Sequence, residues 1–356
     1  MLLYVWFHSN ILVANHGLES ARLALAVLLT LTLASGPALP RQAAAAEAAP
    51  IKVLVSTFPM YQFTRNVVAG SKQVQVELMI PAQLGCPHDY ALTPQDMQKL
   101  AETEVFIVNG LGLEEFLGAP LKKANPKLRL IDSSKGISGI LDYADEENGA
   151  ELGLHHEDAH DTTHRHGENE VAHREEQHAH HAGPNPHLFA SPRMAALQVA
   201  NIARDLAAIV PAEKALYERN AQAYSAKLQA LDAEFQQLGK RLVNPRIVTQ
   251  HGVFDYLARD MGLETVAVIA AHPGQDPSAA EALQLVRIIE AKKAGAIFTE
   301  PQYPDSIALT IARESGIPPA VLDPVANGPQ AEAPLDYYER IMRTNLQTLA
   351  DTLGTK

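Results

Sequence analysis

The sequence predicts an α/β protein of two lobes, in which parallel sheets flanked by helices are joined by one long rigid helix. Short apolar runs rich in β-branched residues alternate with helix-like segments in two separate blocks, which is typical of parallel sheets covered on both faces. Between the blocks, residues 212–242 contain no proline and no glycine before Gly239. Apolar residues of this stretch recur mostly every three or four positions, which indicates one face of a long helix.

The predicted strands are short and continuously apolar, and they fall in order along the chain. In the first block they are Lys52–Ser56, Val74–Ile80, Val105–Val108 and Leu128–Ile131. In the second block they are Arg246–Thr249, Thr265–Ile269, Ala296–Thr299 and Ala320–Leu322. The predicted helices of the first block are Met60–Ala69, Pro94–Glu102 and Leu113–Lys123. Strands that alternate with helices predict βαβ units in each block.

The length of the chain supports more than one domain. A chain of 356 residues exceeds what one hydrophobic core usually organises. We expect residues 50–211 to form an amino-terminal lobe, residues 212–242 to form the linking helix, and residues 243–356 to form a carboxy-terminal lobe. A long helix in this place would be a stiff connector rather than a flexible hinge.

Composition excludes several classes of protein. A formal net charge of −12 argues against a protein that binds nucleic acid by neutralising phosphates. The single cysteine, Cys86, excludes an intramolecular disulfide framework and a cysteine-rich zinc finger. No stretch after the amino-terminal segment reaches 18 apolar residues, so the mature chain is not expected to cross a membrane.

The amino-terminal segment, residues 1–46, has the features of a signal peptide. An apolar run of 12 residues, Leu23–Ala34, follows Arg22 and is too short to span a bilayer comfortably. Small residues then provide an Ala-x-Ala cleavage site, with the cut expected near Ala46. No cysteine stands directly behind the apolar run, so we expect an exported, soluble protein without a lipid anchor.

A segment between the predicted lobe elements, residues 142–186, is acidic and rich in histidine. It holds 12 acidic residues against two arginines, and such a composition predicts a disordered loop. Imidazoles in this number favour loose binding of zinc, copper or nickel at several sites. The simpler interpretation is a hydrophilic loop without a metal. Its nine histidines are His155, His156, His160, His164, His166, His173, His178, His180 and His181.

Four further residues are candidate metal ligands, and three of them lie where a parallel sheet usually binds its ligand. His88, His251 and Asp323 each follow a predicted strand, and His187 follows the acidic segment. Three imidazoles and one carboxylate would make a closed four-coordinate set for Zn²⁺. The gaps of 99, 64 and 72 residues between them carry no local spacing information, and a lone loop histidine is more often solvated than a ligand.

Six stretches of the chain together resemble the metal-binding solute proteins of zinc and manganese ABC transporters. The resemblance extends from about Ile51 to the carboxy terminus. The stretches are Pro87–Pro94, Val108–Glu114, Asn185–His187 with Ser191–Arg193, Thr249–Leu257, Thr299–Gln302 and Leu322–Pro324. The resemblance implies two α/β lobes that hold one metal ion between them, with His88 and His187 from the first lobe and His251 and Asp323 from the second.

The resemblance also implies the cargo and the partner. A nitrogen ligand at His251 favours zinc over manganese, and the histidine-rich insertion is similar to that of the zinc-specific branch. Glu300 is expected to orient a ligand histidine by hydrogen bonding. The implied protein is a periplasmic monomer, not an enzyme, which delivers Zn²⁺ to an ABC permease in the inner membrane.

The sequence departs from the family pattern near the predicted ligands, at the continuation Leu188–Ser191 and at two further places. Asn185 occupies a position where the family usually has an acidic residue, and the turn before His88 is unusual and contains Cys86. We do not expect Cys86 to bind the metal, because the four-coordinate set is already complete. His272 is expected to be an ordinary loop residue.

Three alternatives remain open at this stage. A manganese or other divalent-metal solute-binding protein would share the fold. A metalloenzyme would need an open coordination position and a nearby base. Glu300 is the obvious base candidate in the predicted lobes, and the one His-Glu-x-x-His spacing, His156–His160, lies in the acidic segment. A zinc-buffering or adhesion protein would use the lobes as a scaffold for the loop.

Overall fold

Two four-stranded parallel sheets form the framework of the protein. The computed structural model describes residues 49–85, 87, 90–143, 183–270, 276–329 and 332–356. The first sheet contains β1 (Ile51–Val55), β2 (Val74–Leu78), β3 (Val105–Val108) and β4 (Arg129–Asp132). The second contains β5 (Arg246–Thr249), β6 (Glu264–Val268), β7 (Ala296–Thr299) and β8 (Pro319–Val321).

Both sheets have the same strand order. The first runs β2-β1-β3-β4 and the second β6-β5-β7-β8, with every neighbouring pair parallel. The central strands β3 and β7 are buried at every residue, because helices cover both faces of a parallel sheet. The two blocks of strands predicted from the sequence are therefore confirmed.

Helices make the connections between the strands, as parallel pairing requires. Around the first sheet they are α1 (Phe58–Val67), α2 (Pro94–Glu102) and α3 (Gly118–Ala124). After it come α4 (Pro192–Ile209) and α5 (Lys214–Gly239). Around the second sheet they are α6 (Asp255–Met261), α7 (Ala279–Lys292), α8 (Ser306–Ser315) and α9 (Tyr337–Leu353). The N-terminal capping boxes of α2 (Thr93 with Asp96) and α7 (Ser278 with Glu281) are both formed.

The long helix α5 joins the two sheets. Its 26 residues span about 39 Å. One face is buried, with Tyr217, Leu228 and Phe235 among the residues that face the core. The helix packs against α1 and α4, which precede it in the sequence, and against α6 and α9, which follow it. These observations confirm the predicted fold class of two α/β lobes joined by a long helix.

A single apolar cluster runs through both sheets and the joining helix. It includes Val53 and Val105 of the first sheet, Ile247 and Phe298 of the second, and Phe235 of α5. A continuous close-packed interior transmits displacement instead of absorbing it. The exact lobe boundaries at residues 211 and 243 stay a prediction.

The two ends of the acidic segment are ordered. Asp142 and Pro184 form an antiparallel bridge, and the Tyr143 backbone N–H donates to the carbonyl of Gly183 at 3.0 Å. Asn185 is fully buried. The disorder predicted for residues 142–186 therefore does not extend to these ends, because backbone pairing and burial fix them. Residues 144–182, which carry the nine loop histidines, lie outside the described residues.

Among the residues with described positions, no helix is both long enough and apolar enough to cross a membrane. Residues 1–46, to which the signal-peptide prediction applies, lie outside the described part of the chain.

Candidate metal centre

The carboxyl ends of the second sheet bring three of the predicted site residues to one edge. His251 lies two residues after β5, Glu300 directly follows β7, and Asp323 lies two residues after β8. Parallel strands that lie side by side end at the same edge, where such sheets commonly bind ligands. His187 comes from the first block and stands just before the 3₁₀ turn Leu188–Ala190 that leads into α4.

The two described candidate histidines are in contact. The ring centroids of His187 and His251 are 5.1 Å apart, and the rings are nearly perpendicular, at 78°. Both side chains are almost wholly buried, at 0% and 2% exposure. Residues that are 64 positions apart in sequence therefore meet in the interior.

Glu300 lies against His251. The Nδ1 atom of His251 is 2.5 Å from the carboxylate oxygen Oε1 of Glu300, and both side chains are buried. A proton on Nδ1 would face this carboxylate oxygen, and the ring lone pair would then lie on Nε2. The amide of Gln302 donates to the other carboxylate oxygen at 2.6 Å. A histidine oriented in this way by a carboxylate is typical of metal sites.

Asp323 is half-buried and is fixed at its backbone. The side-chain oxygen of Asn345 accepts from the Asp323 N–H at 2.9 Å, and its amide donates to the Asp323 carbonyl at 2.7 Å. The backbone N–H of Val325 donates to the Asp323 carboxylate at 2.8 Å. Burial raises the pKa of Asp323 to about 6, and the nearby Glu300 carboxylate adds to this rise. A cation in the site would favour the ionised form.

The structure brings together part of the predicted ligand set. His187 and His251 meet, Glu300 lies against His251, and Asp323 is close enough to Glu300 for their charges to interact. His88 lies outside the described residues, as do Cys86 and His272. Within the described ranges, no three His, Cys, Asp or Glu side chains are arranged to hold one metal ion. A complete set therefore needs a further ligand such as His88, or a small rearrangement.

Sequence reasoning missed several residues that surround the two imidazoles. Tyr143 packs edge-on against His187, with ring centroids 6.1 Å apart, and Tyr303 packs against His251 at 5.6 Å. Asp255 belongs to a stretch that carries the family resemblance, but its part in the site comes from a contact with Asn185 at 3.0 Å. Burial raises the pKa of Asp255 to about 6. A contact between residues 70 positions apart leaves no signal in a single sequence.

A buried polar network supports the backbone next to His187. The Asn109 amide donates to the carbonyl of Pro186 at 2.8 Å, and Gln198 of α4 donates to the Asn109 side-chain oxygen at 2.9 Å. Glu114 in turn accepts from the backbone N–H of Asn109 at 2.7 Å and from the Ser56 hydroxyl at 2.6 Å. The network fixes the segment that carries His187 to the carboxyl ends of β1 and β3.

The Glu114 carboxyl is expected to make stability depend on pH. Burial raises its pKa from 4.5 to about 7 in the folded chain, although hydrogen bonds from Ser56 and two backbone N–H groups oppose the rise. The folded state then binds more protons than the unfolded state between these values, so the free energy of unfolding falls as pH rises from 4.5 through 7. Relative to Glu114→Gln, we expect the wild type to lose roughly 3 kcal/mol between pH 4 and pH 8.

Urea unfolding of both metal-free proteins at several pH values measures this difference. Subtracting the variant from the wild type removes the contributions of all other titrating groups. A difference that does not change between pH 4 and pH 8 would contradict the prediction.

Comparison with known proteins identifies relatives along nearly the whole described chain. Residues 53–352 match the family described as ZnuA, zinc-uptake complex component A, periplasmic. The chain is 29% identical over 309 residues to the high-affinity zinc uptake system protein ZnuA of Bacillus subtilis (strain 168), covering 86% of this chain and 88% of that protein.

A second relative is longer than this chain. The zinc-binding lipoprotein AdcA of Streptococcus pneumoniae serotype 4 is 28% identical over 303 residues, which cover 85% of this chain but 56% of AdcA. The chain thus spans about half the length of that curated relative.

The fold agrees with the sequence relationship. A solved structure described as the crystal structure of ZnuA superposes with a TM-score of 0.66 at 26% identity, covering 86% of this chain and all of that one. Both the family match, which covers more than half of the chain, and the shared architecture lead to one conclusion. The chain belongs to the ZnuA family of periplasmic zinc-uptake component A proteins.

Proposed function

We propose that this chain is an extracytoplasmic zinc-binding protein that captures Zn²⁺ and delivers it to an ABC permease in the inner membrane. The observation that carries the proposal is the pair of buried imidazoles, His187 and His251, in contact at 5.1 Å. Each has its Nδ1 atom against a side-chain oxygen, at 2.8 Å from Asn185 and 2.5 Å from Glu300. Their Nε2 atoms are thereby suited to metal coordination.

The proposed ligands are His88, His187, His251 and Asp323, with Glu300 orienting His251. Three nitrogen donors and one oxygen donor satisfy the tetrahedral preference of Zn²⁺ and leave no position for a reactive water. The proposed activity is therefore binding without turnover. A ligand set with three imidazoles, from His88, His187 and His251, favours zinc over manganese, because manganese prefers oxygen donors. The names of the family and of the Bacillus subtilis relative support zinc as cargo.

Delivery requires export and a membrane partner. We propose that residues 1–46 are a signal peptide cleaved near Ala46, and that the mature monomer works in the periplasm. The family description, which names a periplasmic component of a zinc-uptake complex, supports this location and a permease partner. The segment of nine loop histidines, within 144–182, would collect loosely bound zinc close to the site, because it ends five residues before His187.

Deleting residues 150–182 is expected to remove the weak zinc sites and to leave one tight site. The ligands proposed for the tight site all lie outside the deleted segment, whereas the nine loop histidines lie inside it. Calorimetric titration of metal-stripped protein with Zn²⁺, before and after the deletion, measures the number of sites of each class.

The same titration, together with a growth test, separates the rival functions. Loss of the tight site on deletion would mean that the loop is the functional element, as in a zinc buffer. A tight site that prefers Mn²⁺ in direct competition would assign the protein to manganese. Zinc-dependent growth of a strain that carries only the deleted form, in zinc-poor medium, would support transport over adhesion.

A further inference from the structure

We infer that Asn185 is a positioning residue, which holds the His187 imidazole in the tautomer that binds metal and is itself oriented by Asp255 from the second lobe. The inference rests on the proposed function and names a residue that does not touch the ion.

One side of the Asn185 amide is directed at His187. Its side-chain oxygen Oδ1 is 2.8 Å from the ring atom Nδ1 of His187 and accepts from the backbone N–H of the same residue at 3.0 Å. A carbonyl oxygen is only an acceptor, so Nδ1 carries the proton in this contact. The hydrogen bond at one ring nitrogen decides which nitrogen can bind a metal, and here that atom is Nε2.

The other side of the amide is directed at the second lobe. Its nitrogen Nδ2 donates to the carbonyl of Gly252 at 2.8 Å and to the carboxylate of Asp255 at 3.0 Å. Both partners are acceptors at neutral pH. If the amide flipped, its oxygen would face two acceptors and its nitrogen would face the backbone N–H of His187. The flipped state therefore loses the bonds to Gly252, to Asp255 and to the His187 backbone N–H, whichever tautomer the His187 ring adopts.

The amide also connects the two candidate ligand histidines. Gly252 directly follows His251, so the carbonyl that fixes the amide belongs to the segment that carries the second imidazole. The Tyr256 hydroxyl of α6 donates to the Asn185 backbone carbonyl at 2.7 Å. A Cβ atom at residue 252 would lie 2.9 Å from the Asp255 carboxylate, so the close approach favours glycine there. One buried side chain thereby sets the relative position of His187 and His251.

The test compares a variant that lacks the side-chain oxygen beside His187 Nδ1 with a double variant that keeps an oxygen there. Asn185→Leu has similar size but no oxygen, and we expect it to lower zinc affinity by about 10- to 100-fold, the usual effect of removing a partner of a ligand histidine. The double variant Asn185→Asp with Asp255→Asn keeps an oxygen beside His187 and avoids two adjacent carboxylates. It is expected to bind zinc at least about tenfold more tightly than Asn185→Leu.

Asn66→Leu is the matched control. Asn66 is another buried asparagine whose amide crosses between the lobes: it donates to the carbonyl of Leu335 at 2.9 Å and to that of Gln62 at 3.0 Å. Its replacement should lower the free energy of unfolding but leave the zinc affinity within about twofold of the wild type.

A readout without metal tests the tautomer directly. Nitrogen-15 NMR of histidine-labelled, metal-free protein at pH 8 should show His187 protonated at Nδ1 in the wild type and in the double variant, but not held in that form in Asn185→Leu. An Nε2–H ring in the wild type, an Asn185→Leu affinity within twofold of the wild type, or equal losses in Asn185→Leu and the double variant would each overturn the inference. A wild type without a tight zinc site would instead reject the proposed function, and the NMR result would still decide the tautomer.

Discussion

Replacing His251 by alanine is expected to lower the zinc affinity of the tight site by more than about 100-fold. The change removes one of three proposed nitrogen donors, whereas removing even a hydrogen-bonded partner of a ligand costs about 10- to 100-fold. It also leaves the Glu300 carboxylate buried without the imidazole that lies 2.5 Å from it. Competition titration against a chelator of known affinity, on metal-stripped protein, measures the loss.

Glu300→Gln provides the graded comparison for this prediction. The amide retains the size of the side chain but accepts a hydrogen bond from His251 more weakly than a carboxylate does. Its zinc affinity should therefore lie between that of the wild type and that of His251→Ala. Gln347→Ala, an exposed change on α9, should leave the affinity unchanged. If His251→Ala binds zinc as tightly as Gln347→Ala does, His251 is not a ligand.

Much of the fold could be predicted because burial is continuous in the central strands. The bounds of β3, β5 and β7 were predicted to the residue, since each is a short apolar run and parallel strands are covered on both faces. The helix α2 was also predicted to the residue, because Thr93 and Pro94 define its start. Local chemistry determines these elements, and a single sequence contains it.

Other elements depend on tertiary contacts and were predicted less exactly. The segment predicted as one helix at Leu113–Lys123 divides into a 3₁₀ turn, Glu115–Leu117, and the short helix α3. Glu114 lies at the start of the predicted segment, and its carboxylate accepts hydrogen bonds from the backbone N–H groups of Asn109 and Gly110. These bonds make a tight turn after β3, and side-chain hydrogen bonds of this kind compete with helix formation.

The site could be predicted in its location but not in its internal contacts. The rule that ligands bind at the carboxyl ends of parallel strands selects His88, His251 and Asp323, and the structure places His251 and Asp323 just after β5 and β8. The position of Asn185, fully buried between His187 and Asp255, depends on the packing of segments 70 residues apart. No spacing or periodicity encodes such a contact. A departure from the family pattern at Asn185 was the one sign in the sequence that this position is unusual.

The second large expected effect is a loss of folding stability when a buried side chain of the long helix α5 is removed. Phe235 of α5 is 1% exposed and belongs to the apolar cluster that runs through both sheets. Phe235→Ala should lower the free energy of unfolding by about 3 to 5 kcal/mol, because it removes a large buried side chain and leaves a cavity. Gln237→Ala, an exposed change two residues away on the same helix, should alter it by less than about 0.5 kcal/mol. Urea unfolding followed by circular dichroism measures both changes.

The distribution of the effect tests whether α5 is a rigid connector. Because α5 packs against α1 and α4 as well as against α6 and α9, a cavity at Phe235 should weaken both lobes together. Hydrogen exchange of Phe235→Ala should therefore accelerate in β1 and β3 and, to a similar extent, in β5 and β7. Faster exchange in one sheet alone would mean that the lobes unfold independently. In that case α5 would act as a hinge, and metal release could proceed by motion of one lobe relative to the other.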